Sequence, residues 1–253
     1  MRQGFSLVEL SIVLVILGLL TGGILTGQSL IRAAELRSVT TEFQKYMTAA
    51  RTFQDKYFAL PGDMHNAQTF WGSMTNCGAA SPSGTGTQTC NGNGNGELES
   101  ASAASTTGER FAFWQHLANA GLIEGTYTGI SGTAGQDNSV LGVNVPSSKL
   151  GNAGWYASTW NSTGDSANYV FNYRNFLGFG SKSTSGSSSG KAMTPEETWN
   201  IDKKIDDGLP GRGRLIAIYW STCTEATSNT DYAAPYDLDD TSVECAVRFV
   251  NVF

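Results

Sequence analysis

Histidine is nearly missing from this chain: His65 and His116 are the only 2 in 253 residues, which leaves little material for general acid–base or zinc chemistry. No nucleophile elbow, phosphate loop, dinucleotide fingerprint or histidine-containing metal motif occurs either. Catalysis is not expected. Positive charge is also short, with 16 Lys and Arg against 22 Asp and Glu and a net charge of −6. A phosphate backbone would gain nothing from such a chain, so nucleic acid is set aside as a partner. Charged residues make up 15% and hydrophobic ones 40%, a balance that excludes disorder throughout. A single long apolar run excludes a polytopic membrane protein.

That run opens the chain. Behind Arg2 and the initial amine, residues 5–25 are almost continuously apolar and, at about 1.5 Å per residue, span roughly 30 Å, the hydrocarbon thickness of a bilayer. The basic lead keeps the front end in the cytoplasm and sends everything after the span across the membrane. An ordinary secretory signal does not fit, because Thr21, Gly22 and Gly23 lead into a long helical pattern with no small-residue cleavage site. Glu9 lies inside the span, where a carboxylate is penalised by about 3 kcal/mol on insertion scales. It needs a partner.

Gly4, Phe5 and Glu9 complete a recognisable pattern. This segment resembles the prepilins of the type IV pilin and pseudopilin superfamily, which carry a short basic leader ending in Gly, then Phe-Ser, then a hydrophobic helix with Glu at the fifth mature position. The resemblance implies that a prepilin peptidase cuts between Gly4 and Phe5 and methylates the new amine of Phe5. Phe5 and Glu9 then serve assembly. Once the leader is gone, Glu9 is the only ionisable side chain between Phe5 and Arg32, so neighbouring subunits can neutralise one another's charges inside an apolar bundle. Gly18, Gly22, Gly23 and Gly27 allow close helix approach and local melting, in place of the Pro that many family members carry there.

Past the span, Leu36, Val39, Phe43, Tyr46, Met47, Ala50, Phe53 and Tyr57 recur at steps of three and four, with Arg37, Glu42, Lys45 and Arg51 between them. One helix face should therefore pack on a sheet, and Leu60, Pro61 and Gly62 should stop the helix after about 80 Å. Residues 72–107 read as a long loop, 109–120 as a second helix closed by Gly121, and 181–190 as a flexible Gly/Ser run. Thr194, Pro195 and Glu197 form a capping box opening a helix that runs to Gly208. Strands are clearest at 214–221 and 243–252, with a weaker one at 169–173. The expected fold is α+β: a long N-terminal helix, half transmembrane and half amphipathic, packed on an antiparallel sheet with long loops and short helices. Three parts follow: a leader at 1–4, a transmembrane and assembly helix at 5–28, and a pilin-like globular domain at 29–253, periplasmic or extracellular.

Four Cys allow three pairings, and an oxidising compartment favours the sequence-local pairs Cys77 with Cys90 and Cys223 with Cys245. The second pair resembles the carboxy-terminal disulfide loop of type IV pilins. Structural calcium is the one cofactor the sequence raises. Asn91, Asn93, Asn95 and Glu97 place oxygens at alternate positions, as a calcium loop does, yet the amides are neutral and position twelve is Ser102; an exposed turn explains them equally. Asp206 and Asp207 stand at the helix end that disfavours negative charge, and either a cation or Lys203, Lys204, Arg212 or Arg214 should offset them. Residues 58–63 and 201–217 also resemble a subset of pilin-like proteins. Trp155, Tyr156 and Trp160 could stack on sugars or pack beneath a loop.

The expected function is structural: a pilin or minor pilin of a type IV pilus-like filament, held in the bacterial inner membrane until assembly and then in the periplasm or on the cell surface. Its expected partners are other pilin subunits, the prepilin peptidase, the inner-membrane assembly platform and inner-membrane lipid. A type II secretion pseudopilin and a tip-located adhesive minor pilin are the alternatives.

Overall fold

The computed structural model describes residues 6–77, 82–100 and 108–253. It has one dominant element, α1, Leu7–Tyr57, a single helix of 51 residues and about 77 Å at 1.5 Å per residue. Ser6 caps its start, and Glu9 at the third helical position reaches back to the Ser6 N–H at 2.8 Å. Its end falls just ahead of Leu60, Pro61 and Gly62, where the sequence places it. Phe58 takes a left-handed conformation (φ 52°) and donates its N–H to the Gln54 carbonyl at 2.8 Å, a left-handed stop built without glycine.

Four strands form one antiparallel sheet in the order β1-β2-β4-β3: β1 Ala153–Thr163, β2 Val170–Ser181, β3 Leu215–Ile218 and β4 Ala246–Val250. The amphipathic half of α1 lies across one face. Val39, Phe43, Ala50 and Phe53 are buried there, with Phe43 stacked on Phe249 of β4 at 4.1 Å and Tyr46 edge-on to Trp155 of β1 at 5.5 Å. Leu36, Met47 and Tyr57 pack against the same core from its margin. The helical stripe has found its sheet.

The opposite sheet face is also buried, by Tyr156, Tyr169, Tyr173, Phe176, Ile216 and Val250. This double cover explains why β1 escapes a period-two reading. Its first six residues are all buried, so apolar and polar positions do not alternate. The aromatics read as a sugar platform or loop packing are strand residues: Trp155 faces α1, Tyr156 the second layer, and Trp160 precedes a register shift into Asn161. Gly178 sits opposite Tyr156, where a Cβ would strike the tyrosine ring. Next to it in the same row, Arg248 is buried against Trp160 and Tyr173, 4.8 and 4.7 Å from their centroids.

Short helices close the body. They are α2, Ala67–Trp71; α3, Glu109–Asn119; α4, Pro195–Ile205; and α5, Trp220–Cys223. Gly121 takes φ 72° just after α3. The Thr194–Glu197 capping box is present at α4, but that helix stops at Ile205, three residues short of Gly208, because Asp206 leaves helical backbone space (φ −148°, ψ −137°). Disulfides join Cys77 to Cys90 and Cys223 to Cys245, with Cα separations of 5.7 and 5.1 Å. The Gly/Ser run at 181–190 is drawn closed by pairing of Ser181 with Gly190. Arg32 ties α1 to α4 through two hydrogen bonds to Glu197, of 2.6 and 2.7 Å.

Candidate functional site

Three places carry the residues singled out by sequence. The first is the free half of α1. From Leu7 to Ile31 the large apolar side chains are exposed, from 50% at Ile16 to 85% at Leu7, and the apolar stretch has mean hydropathy 2.4 with none of it buried. Its Ser and Thr hydroxyls bond within the helix: Thr21 donates to the Leu17 carbonyl and Thr26 to the Gly22 carbonyl, both at 2.9 Å. This suits an apolar solvent, where every backbone and hydroxyl group must find its partner in the same segment. Glu9 is spent on the Ser6 N–H in the single chain. Gly4 and Phe5, the processing pair and the other assembly group, lie outside the described residues. Gly18, Gly22, Gly23 and Gly27 stay helical with open space beside them.

The second place is the Asn-Gly loop, whose polarity is the reverse of a cation site. Asp63 is nearly buried, and its carboxylate accepts N–H groups from Gly94 and Gly96 at 2.6 Å and from Asn95 at 3.2 Å. Glu109 accepts the N–H groups of Asn93 and Glu99 at 2.9 and 3.1 Å, and burial pushes its carboxyl up to about 7. The loop thus wraps its donors around two carboxylates from elsewhere in the chain, as a backbone anion nest does. Its own side-chain oxygens close local turns: Asn93 and Asn95 accept from the N–H two residues on, and Asn91 accepts from Gln68. Glu97 is exposed. Gly92 is required, since a Cβ there would run into the Asp63 backbone.

Beside this loop, His116 is fully buried. Its Nδ1 accepts the Gly62 N–H at 2.9 Å while Nε2 meets the Thr89 hydroxyl at 3.0 Å, and Thr89 donates to Gln115 at 2.7 Å. An Nδ1 that accepts must be unprotonated, so the ring is neutral with its hydrogen on Nε2. Burial pulls its pKa down to about 3. The imidazole is a structural strut joining the turn after α1, the first disulfide loop and α3.

The third place is the end of α4. Oxygens of Asp202, Asp206 and Asp207 lie within 4.8 Å of one another. Asp206 accepts from the N–H groups of Arg214 and Leu215, and Asp207 pairs with Arg212 at 3.0 Å. Asp202 is fully buried; its Oδ2 accepts the Tyr236 hydroxyl at 2.8 Å, and Oδ1 has no hydrogen-bond partner. Burial pushes this carboxyl up to about 7, against the pull of the Tyr236 hydroxyl and the Gly208 N–H. Asp202 was legible as the residue one helical turn before Asp206.

Residues 1–25 match the family model described as the prokaryotic N-terminal methylation motif. The chain carries the prepilin-type signature of type IV pilins and pseudopilins. No curated protein and no solved structure matches it. The family so marked is structural rather than enzymatic, and the motif implies processing by a prepilin peptidase and assembly into a polymer. With the bare apolar half of α1, the prepilin signature fits a membrane-anchored precursor.

Proposed function

We propose that the chain is a structural subunit, pilin or minor pilin, of a type IV pilus-like filament, processed at Gly4–Phe5. In this reading residues 1–4 are the leader, 5–28 the membrane and assembly helix, and 29–253 the body displayed in the periplasm or at the cell surface. One observation carries it: the bare apolar half of α1 continues without a break into the half that anchors the body. Such a helix can leave lipid for a bundle of identical helices while keeping its apolar faces out of water. Glu9 then exchanges the Ser6 N–H for the Phe5 amine of a neighbour.

Filament preparations labelled with an antibody to the body provide the test. Label along the whole filament is the expected result, and Glu9→Val should keep the protein in membranes while depleting it from filaments. Label confined to the membrane, or normal incorporation of Glu9→Val, would overturn the role of the helix or of charge pairing. Loss of secretion without loss of pili would assign the subunit to a secretion pseudopilus instead.

A second reading, a tip-located adhesive minor pilin, has its own support. A polar cavity of about 640 Å³ is lined by Trp160, Asn161, Asn172, Arg174, Asn251 and Glu97 among others, an aromatic and amide set suited to a glycan. Label restricted to filament tips, with glycan binding lost in Trp160→Ala, is the result that reading requires.

A further inference from the structure

We propose that Asn93 and Asn95 are latent deamidation sites whose reaction with the following glycine is held back by the Asp63 carboxylate. Asn91, Asn93 and Asn95 are all exposed and each precedes a glycine, whose backbone nitrogen no side chain shields. That nitrogen, once it loses its proton, bonds to the asparagine Cγ. The Cγ–Nδ2 bond breaks, and the amide nitrogen leaves as ammonia with a proton. Water then opens the cyclic imide at either carbonyl, leaving a carboxylate on an aspartyl or isoaspartyl linkage. Nothing is oxidised or reduced, and solvent water is the only co-reactant.

The loop readies the carbon and restrains the nitrogen. Asn93 Oδ1 accepts the Asn95 N–H at 2.9 Å and Asn95 Oδ1 accepts the Glu97 N–H at 2.8 Å, so a donor already faces the oxygen on which negative charge develops as the ring closes. The attacking nitrogens, however, are tied down. Gly94 donates its N–H to Asp63 Oδ1 and Gly96 to Oδ2, both at 2.6 Å. Each bond must be broken before ring closure, and the adjacent negative charge opposes loss of the proton as well. Asp63 is nearly buried, which leaves that charge weakly screened. Asn91 differs from the other two, because the Gly92 N–H goes to the neutral Met64 carbonyl at 3.0 Å. Its reaction should not depend on Asp63.

Reaction would also prevent the loop from closing again as it was. Asn93 Nδ2 donates to Glu99 Oε2 at 2.7 Å; a carboxylate in place of that amide sets like charge against like. Asn95 lines the polar cavity of about 640 Å³ beside Trp160 and Arg174, so reaction there adds a negative charge to its rim. The loop is thus a one-way chemical switch, set by opening and kept unset by Asp63.

Full-length protein in detergent is held at neutral pH, and deamidation is followed at each asparagine by peptide mass spectrometry. In the folded parent, Asn93 and Asn95 should react at least about tenfold more slowly than in the chain unfolded with guanidinium chloride, since reaction waits on local opening. Asp63→Asn removes the charge and one acceptor oxygen. With near-ultraviolet circular dichroism unchanged, it should speed both sites at least about tenfold and leave Asn91 as in the parent. Equal rates in the folded and unfolded parent overturn the proposal. So does a folded Asp63→Asn in which Asn93 and Asn95 keep the parental rate, or in which Asn91 accelerates as much as they do. If Asp63→Asn does not fold, hydrogen exchange of the parent decides: slow exchange of the Gly94 and Gly96 amides is expected, and exchange as fast as in an open chain overturns the restraint.

Discussion

The two halves of α1 belong to one unbroken helix yet obey different rules. Between Val39 and Phe53 the helix is amphipathic, and its stripe is buried against Phe249, Trp155 and Trp114 of the same chain. Between Leu7 and Ile31 it is predominantly apolar, and its large apolar side chains stand exposed. Amphipathicity marks a helix that completes its packing within the chain; all-round apolarity marks one that takes its environment from lipid or from copies of itself. The arginine where the two regimes meet, Arg32, is bonded to the body through Glu197.

The contrast is broken hardest at the core. Phe43→Ala should remove about 3–5 kcal/mol from the stability of the body, read by denaturant unfolding of the detergent-solubilised chain, while membrane insertion is untouched. Opening the second disulfide is next. Cys223→Ser with Cys245→Ser releases a loop with a sequence separation of 22 and should lose about 3 kcal/mol on the loop-entropy estimate, again without effect on insertion; an unchanged unfolding midpoint would refute it.

A pH-dependent effect, smaller per pH unit, comes from His116. Its pKa is about 3 in the folded protein against an ordinary 6.5, so between these values the unfolded chain binds the extra proton. Stability should therefore fall as pH drops through 6.5 towards 3, by up to about 1.4 kcal/mol per pH unit well inside that window. Glu109, raised to about 7, binds its proton in the folded state and works in the opposite sense between 4.5 and 7. The decisive comparison is thus the pH slope of His116→Gln against the parent, which should be flatter on the acid side. The smallest change is expected from Arg32→Ala. Arg32 is partly exposed and screened by solvent, so the loss should be about 0.5–1 kcal/mol, sharpening the boundary between the two halves as faster hydrogen exchange in α1 near residue 32.

Much of this was legible in the chain. The apolar run, the stripe from Leu36 to Tyr57 and the Thr194–Glu197 box are local patterns, and local patterns survive folding. What escaped depends on distant residues. β1 was hidden because helix and loops cover both sheet faces, which erases the alternation around Trp155 and Tyr156. The purpose of Asp63 could not be read because its donors come from Gly94, Asn95 and Gly96, some thirty residues on. The α4 terminus moved forward from Gly208 because Asp206 turns out of the helix to meet the Arg214 and Leu215 N–H groups.

The central claim, that the free half of α1 is a retained assembly helix and not a discarded signal, is tested most directly by amino-terminal mass spectrometry of the mature protein. A chain beginning at N-methylated Phe5, with the apolar segment intact, is the predicted result. A mature chain that starts beyond residue 20 would contradict the account, because the helix proposed to build the filament would be gone.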